Sequence, residues 1–341
     1  MRQIVKFGII GTGAIAAQHA AAIAASDTAE LIAVCSSSED RAKSAGKKFK
    51  VAAYDDLDKF LGNPELDAVC ICTASGRHME VAIKSAQYKK HILVEKPIEI
   101  NLDRADRIIE ACKENGVVLG VVFQNRFNDG YLQLKKAVVK GKLGRLLMGN
   151  AHVNWFRNEE YYKSSDWKGT LRGDGGGALI NQGIHTIDLL LDIMGEVEDV
   201  YGQVKTAMHT IEGEDLASAL INFKNGAMGN ITAGTSLYPG YPERLEIFGT
   251  KGSVILEAGK IIAWNVQDGE SLSGNSNSEK ASGAADPMAI GHQLHFLLIE
   301  DMVSAIRENR EPLITGEIAK QSLALIKGIY KSSSEGRKIK I

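Results

Sequence analysis

Along the first third of the chain the apolar residues fall in short unbroken runs instead of alternating with polar ones. Residues 6–10, 31–34, 68–73, 92–95 and 117–123 form such runs. Between them lie stretches with helical spacing: an alanine-rich one to about residue 25, "SSEDRAKSAGKKF" (37–49), 79–87 and 102–115. Apolar strands without alternation, separated by helices, predict a parallel sheet covered on both faces, the doubly wound α/β architecture.

After residue 123 the pattern changes. "QNRFNDGYLQLKKAVVKGKLG" predicts a connecting loop and a helix. A strand over 146–156, a loop, and a long apolar helix over about 177–194 follow. Strands are then expected at 200–206, 216–223, 226–236, 244–248, 253–257 and 261–266. The short turns "KNG", "GTKG" and "EAGK" between them imply a largely antiparallel sheet. Helices over 290–308 and 317–333 close the chain. Residues 267–287, "QDGESLSGNSNSEKASGAADP", lack large apolar side chains and predict a mobile surface loop, a candidate substrate lid. The division expected is two domains, 1–124 and 125–341.

Composition narrows the function by exclusion. A length of 341 residues, 44% hydrophobic and 24% charged, fits an ordinary two-domain globular protein. A formal net charge of −2 supplies no basic field for nucleic acid or an anionic membrane. No apolar run reaches the roughly 20 residues of a membrane span, and no signal peptide is apparent. Cys35, Cys70, Cys72 and Cys112 form no Cys-x-x-Cys and read as small buried apolar residues suited to a reducing cytoplasm. No metal-ligand set is expected.

The first apolar run ends in "GIIGTGAIA", where Gly11, Gly13 and Ala16 fill G-x-G-x-x-G/A between a strand and a helix. One glycine permits the tight turn, the second lets backbone approach a pyrophosphate, and the small third residue lets helix pack on strand. Thr12, Ala14 and Ile15 belong to the same candidate turn. An acid at the end of the second strand would bind the ribose 2′-OH of NAD. Cys35 and Ser36 stand there instead, and Ser36, Ser37 and Arg41 could accept a 2′-phosphate, with Lys43 nearby. The cofactor expected is NAD or NADP, leaning to NADP.

A second polar signal lies in "GDGGGALINQGIHTIDLLLDIMG". At 100° per residue Asn181, His185, Asp188 and Asp192 share one narrow face of an otherwise apolar helix. Asn181 and His185, four residues apart, reach one spot, and Asp188 is placed to orient the imidazole. Strand 92–95 ends in "EKP", setting Lys96 at a carboxyl end of the sheet, where ligands of such folds bind. A base and a cation serving one reaction are what alcohol oxidation by a nicotinamide requires.

In this order and spacing "GIIGTGAIA", "VEKPIEINLDRADRII", "QNRF" and "GGGALINQGIHTIDLLLDIMG" resemble the Gfo/Idh/MocA oxidoreductase family, over essentially the whole chain. The resemblance implies a Rossmann domain followed by a substrate-binding and oligomerising α/β domain with an open, mostly antiparallel sheet. It also implies NAD(P)-linked oxidation or reduction of a sugar, cyclitol or nucleotide sugar. By position Lys96 matches the family's catalytic lysine and His185 its histidine, with Asn181 where many members have aspartate. Asparagine cannot accept a proton, so Asn181 is expected to hold a substrate hydroxyl. Thr73, Glu95 and Pro97 match residues lining the cofactor, and the Lys-Pro bond is often cis there. Ala74, His78 and Gln124 complete the expected cofactor set.

"WKG" at 167–169 followed by Asn-x-Gly-x-His is similar to UDP-N-acetylglucosaminuronate 3-dehydrogenases, which keeps a nucleotide sugar as the alternative. The aromatic stretch "NWFRNEEYYKSSDWKG" adds Arg157, Tyr161 and Trp167 as candidate sugar contacts, beside Asn125 and Arg126. A homodimer or homotetramer through the open sheet face is expected. A few relatives on this scaffold only sense dinucleotide, but Lys96 and His185 are both present here.

Overall fold

The computed structural model describes residues 4–267, 272–273 and 291–341. Strands β1 (Val5–Ile10), β2 (Ala29–Cys35), β3 (Ala52–Tyr54), β4 (Ala68–Ile71), β5 (His91–Val94) and β6 (Leu119–Val121) form one sheet in the order β3-β2-β1-β4-β5-β6. Every pairing in it is parallel. This is the doubly wound order, with a switch point between β1 and β4. The unbroken apolar runs are explained by burial on both faces: all four residues of β4 and the last three of β5 are buried.

Registers Ile10↔Ile71 and Ile71↔Val94 align the carboxyl ends of β1, β4 and β5. Gly11 and Lys96 therefore leave the sheet at one edge, two strands and roughly 10 Å apart at the usual strand spacing. All four cysteines are buried and free, as expected of small apolar residues. Burial pushes the Cys35 and Cys72 thiols up to about 11 and Cys112 to about 12, so they stay protonated.

The second sheet contains β7 (Leu146–Asn154), β8 (Val197–Lys205), β9 (Leu216–Phe223), β10 (Met228–Gly234), β11 (Arg244–Gly249), β12 (Gly252–Glu257), β13 (Lys260–Val266), β14 (Leu272–Ser273) and β15 (Ile339–Lys340). Their order is β14-β13-β12-β11-β7-β10-β9-β8-β15. It is antiparallel except where β7 and β10 run parallel, which the long connection through the helix after β7 allows. Burial alternates along β8 and β9, so one face is covered and the other open.

The chain clusters into two units, 1–124 with 291–320, and 125–290 with 321–341. The expected break at 124/125 recurs, but residues 291–320 join the first unit. There Glu300 accepts hydrogen bonds from Ser26 and Thr28, and Lys320 pairs with Asp106. The expected loop and lid at 267–287 lie outside the described residues, except Gln267 and the two residues of β14. β3, β15 and the helices Leu57–Leu61 and Glu159–Lys163 are too short to show a period and were not expected.

Candidate active site

In the first unit the glycine turn is built by close approach. Gly11 has φ +95° and donates its N–H to the Cys35 carbonyl at 2.9 Å; a Cβ there would sit 2.5 Å from the Cys72 carbonyl oxygen. A Cβ at Gly13 would meet nothing within 4 Å, so the space over the turn is open. Helix Ala16–Ala24 follows with Ile15 at its cap and no side-chain cap bond. The N–H groups of Ala16 and Ala17 bond the Gly13 and Ala14 carbonyls at 3.1 and 3.3 Å, and the positive end of the helix dipole faces the turn, where it would favour an anion. Gln124, buried at the exit of β6, has an Oε1 with no partner among the described residues, an acceptor suited to an amide donor such as the nicotinamide carboxamide. These features fit a dinucleotide.

Beyond β2, Thr12 donates to the buried Ser36 hydroxyl at 3.3 Å, whereas Ser37 and Arg41 are exposed and bonded to each other at 3.4 Å.

At the end of β5, Lys96 is half-buried and its bond to Pro97 is cis. The Glu95 carboxylate turns inward: Oε1 lies 2.8 Å from His19 Nε2, and Oε2 accepts the Lys96 N–H at 3.2 Å. Burial by itself raises the Glu95 carboxyl, but the His19 hydrogen bond and charge, with His295 and Lys96 adding to them, hold it down to about 2. His78 is fully buried, with Nδ1 3.0 Å from the Pro97 carbonyl and Nε2 3.3 Å from that of Thr73. Burial lowers its pKa and keeps it neutral. Glu95 and His78, expected to line the cofactor, also meet Lys96, Pro97 and Thr73 from inside the unit.

In the second unit the expected helix begins as a π-helical segment, Ala178–Gly183, before the α-helix Ile184–Met194. Such segments recur at functional sites. The segment starts where Gly177 abuts Glu214: a Cβ there would be 1.9 Å from the Glu214 carbonyl oxygen. The buried Glu214 carboxylate accepts from Gly177 N at 2.9 Å, Leu179 N at 2.7 Å and the Tyr330 hydroxyl at 3.0 Å, capping the helix start. Asn181 and His185 are half-exposed while most of their neighbours are buried.

Asn181 Nδ2 donates to Asp174 at 2.5 Å, and Gln182 Nε2 donates to Asn181 Oδ1 and to the Tyr161 hydroxyl, both at 2.8 Å. Arg157, only 3% exposed, donates to Gln182 Oε1 at 3.1 Å and to the Phe156 carbonyl at 2.9 Å. Its guanidinium lies 4.9 Å from the Trp155 ring and 5.4 Å from the Tyr161 ring. Lys168 stands 4.2 Å over Tyr161 and bonds Ser164, and burial lowers its pKa.

Arg126 is held by partners within the second unit. Its guanidinium grips Asp188 through two bonds of 2.7 and 2.9 Å and Asp192 through a third of 2.7 Å. Burial opposes its charge, but Asp188 and Asp192 more than restore it and raise its pKa. Asp192 also accepts from Tyr131 and Lys135, and Asp188 from Ser322 at 3.4 Å. Arg126, expected to contact substrate, is thus tied beneath the histidine helix to Asp188, the expected imidazole orienter. Arg157, expected to contact sugar, is held by Gln182 and the Phe156 carbonyl. Trp167 is half-buried at a turn whose carbonyl accepts from Thr170, and Asn125 is half-buried with its carbonyl accepting from Asn128. Asp174, Gln182 and Glu214 were missed; "GDGGG" hinted at the close packing that needs them.

An uncapped helix start over an open glycine turn, at the switch point of a parallel sheet, defines an NAD-binding oxidoreductase. Residues 5–123 match the model of the oxidoreductase family with NAD-binding Rossmann fold, GFO_IDH_MocA, and residues 131–255 match that family's C-terminal domain. The chain belongs to the Gfo/Idh/MocA oxidoreductase family. It is similar to the WlbA dehydrogenase from Bordetella pertussis, solved in complex with NADH and UDP-GlcNAcA: 32% identity over 99% of both chains, TM-score 0.89. Myo-inositol 2-dehydrogenase of Thermotoga maritima is 29% identical over 98% of each chain. The scyllo-inositol 2-dehydrogenase (NAD(+)) of Bacillus subtilis is 26% identical over 92% of this chain and 90% of its own.

Proposed function

We propose that this protein moves a hydride between nicotinamide and a secondary alcohol or ketone of a neutral sugar or cyclitol. The bound cofactor supplies the hydride chemistry. Lys96 holds the reacting oxygen and stabilises its developing charge, His185 takes or returns the hydroxyl proton, and Asn181 positions a hydroxyl without titrating. The carrying observation is where the cations of the second unit have gone. Arg126 is clamped by Asp188 and Asp192, Arg157 by Gln182 and two aromatic rings, and Lys163 by Glu159 at 2.7 Å. A cleft of about 480 Å³ in that unit is lined by Lys163 and Lys168 but also by Glu159, Asp166 and Glu212. Such a balance favours a neutral polyol over a carboxylate or diphosphate. Steady-state assays against inositols, aldoses and UDP-sugars test it; turnover of UDP-sugars alone would reverse the choice.

The second reading, a nucleotide-sugar 3-dehydrogenase, is favoured by the 32% identity to WlbA, solved in complex with NADH and UDP-GlcNAcA, and by the resemblance carried by "WKG" at 167–169. For the cofactor, NADP(H) is taken at least as well as NAD(H), because no acid closes β2 and Arg41 is exposed beside Ser37. Calorimetric titration of the chain and of Arg41→Ala with both reduced cofactors checks this; an unchanged NADP(H) affinity in the variant refutes it. A homo-oligomer forms through the open sheet face, where Tyr201, Leu220, Met228 and Ile262 are exposed. Sedimentation of Leu220→Glu as a smaller species than the parent is the expected result. No helix among the described residues is long and apolar enough to cross a membrane, and a reducing cytoplasm suits the buried thiols.

A further inference from the structure

A second group of chemically active side chains lies in the first unit, apart from the glycine turn. His19 on helix Ala16–Ala24, Glu95 after β5, and His295 on helix Gln293–Glu308 are all buried, and each offers a ligand atom within 4.8 Å of the other two. His19 Nε2 lies 2.8 Å from Glu95 Oε1, His295 Nε2 lies 3.9 Å from the same oxygen, and the two rings meet edge-on at 5.2 Å.

The telling member is His295. It is 2% exposed, and neither ring nitrogen has a hydrogen-bond partner among the described residues. An imidazole always carries at least one N–H, and a buried polar group left unmet costs about 1–3 kcal/mol. Packing alone would place leucine or methionine there. Among the described residues no side chain supplies that partner, and His19 Nε2 and His295 Nε2 both lie near one carboxylate oxygen.

Two imidazoles and a carboxylate are a recurrent three-ligand set for zinc, with Zn–N near 2.0–2.1 Å. Tetrahedral geometry at that bond length sets ligand atoms about 3.3 Å apart. The observed 2.8 and 3.9 Å to the Glu95 oxygen straddle that separation, and all three ligand atoms lie within 4.8 Å of one another. We propose that His19 Nε2, Glu95 and His295 Nε2 form a site for one divalent transition-metal ion of the zinc class. The ion replaces the proton shared by His19 and Glu95, which leaves to solvent, and ties the first helix, the turn before Lys96 and helix Gln293–Glu308 together. The role is structural and independent of the substrate assignment. The sequence hid the set because its three members belong to widely separated segments.

The test uses untagged full-length protein stripped with a chelator. Calorimetric titration with Zn²⁺ should show one equivalent, with proton release visible as a buffer-dependent heat. Co²⁺ should give the visible absorption of a low-coordinate nitrogen and oxygen site. His295→Leu, which removes the unmet imidazole and keeps the apolar packing, should weaken binding at least tenfold while its metal-free melting temperature holds or rises. Loss of binding in His19→Gln, with the half-buried His152→Gln as an unaffected control, completes the assignment. No stoichiometric binding by the parent chain, or binding unchanged in His295→Leu, overturns it, and the group is then a buried ion pair with a neutral histidine beside it.

Discussion

Replacing Arg126 with methionine separates the two roles that sequence and structure give this residue. The side chain is kept at similar length, but the fork onto Asp188 and the third bond to Asp192 are lost. Asp188 is 1% exposed, and Ser322 at 3.4 Å is a weak substitute donor. Removing one partner of a buried ion pair costs about 3–5 kcal/mol, because the other charge stays buried. At about 2–4 °C per kcal/mol for a unit of this size, the melting temperature should fall by roughly 6–20 °C.

The deficit should depend on pH with a definite sign. Burial already raises the Asp188 pKa with Arg126 in place, and it rises further without it. A carboxyl whose folded pKa lies above its unfolded value stabilises the fold below the unfolded pKa. That contribution is lost as pH climbs through the folded value. The variant should therefore be closest to the parent near the ordinary aspartate pKa of about 4 and fall progressively behind as pH rises. Urea unfolding at several pH values measures this. Arg126→Met/Asp188→Asn should recover part of the loss, since the buried charge is gone. A deficit under about 1 kcal/mol that ignores pH, together with a raised substrate KM, would refute the clamp and restore Arg126 as a substrate contact.

Lys96→Ala and His185→Ala should each lower kcat by about 10²–10⁴-fold while dinucleotide still binds, as expected for groups acting in the chemical step; His185→Ala within a few-fold of the parent would make that histidine structural. Asn181→Ala should raise KM more than it lowers kcat, and steady-state kinetics separates the two; a pure kcat loss would give it a role in proton transfer. Gly13→Val should abolish dinucleotide binding in calorimetry with little change in melting temperature, because a Cβ there meets no protein atom. Gly11→Ala should instead destabilise the fold, since its Cβ would lie 2.5 Å from the Cys72 carbonyl oxygen.

What the sequence could reveal follows from how each element is stabilised. β1, β4 and β5 are buried on both faces, so their apolar runs stand out, as do the strands of the second sheet, whose one-sided burial leaves a period of two. Lys96 and the glycine turn were legible because a lysine and glycines at strand ends break a strong local pattern. The helix wheel was right to set Asn181 and His185 apart from their buried neighbours, but it assumed a uniform α-helix where the first six residues are π-helical. It set Asp188 and Asp192 on the same polar stripe but could not show their ion pair with Arg126, more than sixty residues earlier, which has no local signature. Glu214, bonded to Gly177, Leu179 and Tyr330, acts through partners remote in sequence and stayed invisible for the same reason.

The central claim is hydride transfer from a carbohydrate ring carbon, and deuterium can follow it directly. Ring-deuterated inositols and aldoses, and UDP-GlcNAcA deuterated on its sugar, would each be incubated with the protein and oxidised cofactor, and the reduced nicotinamide analysed by mass spectrometry. Deuterium should enter the nicotinamide from a neutral cyclitol or aldose, with a higher kcat/KM than from UDP-GlcNAcA, and the transfer should vanish in Lys96→Ala. Deuterium arriving only from UDP-GlcNAcA would contradict the neutral-polyol choice, and none arriving from any of these compounds would contradict the carbohydrate assignment itself.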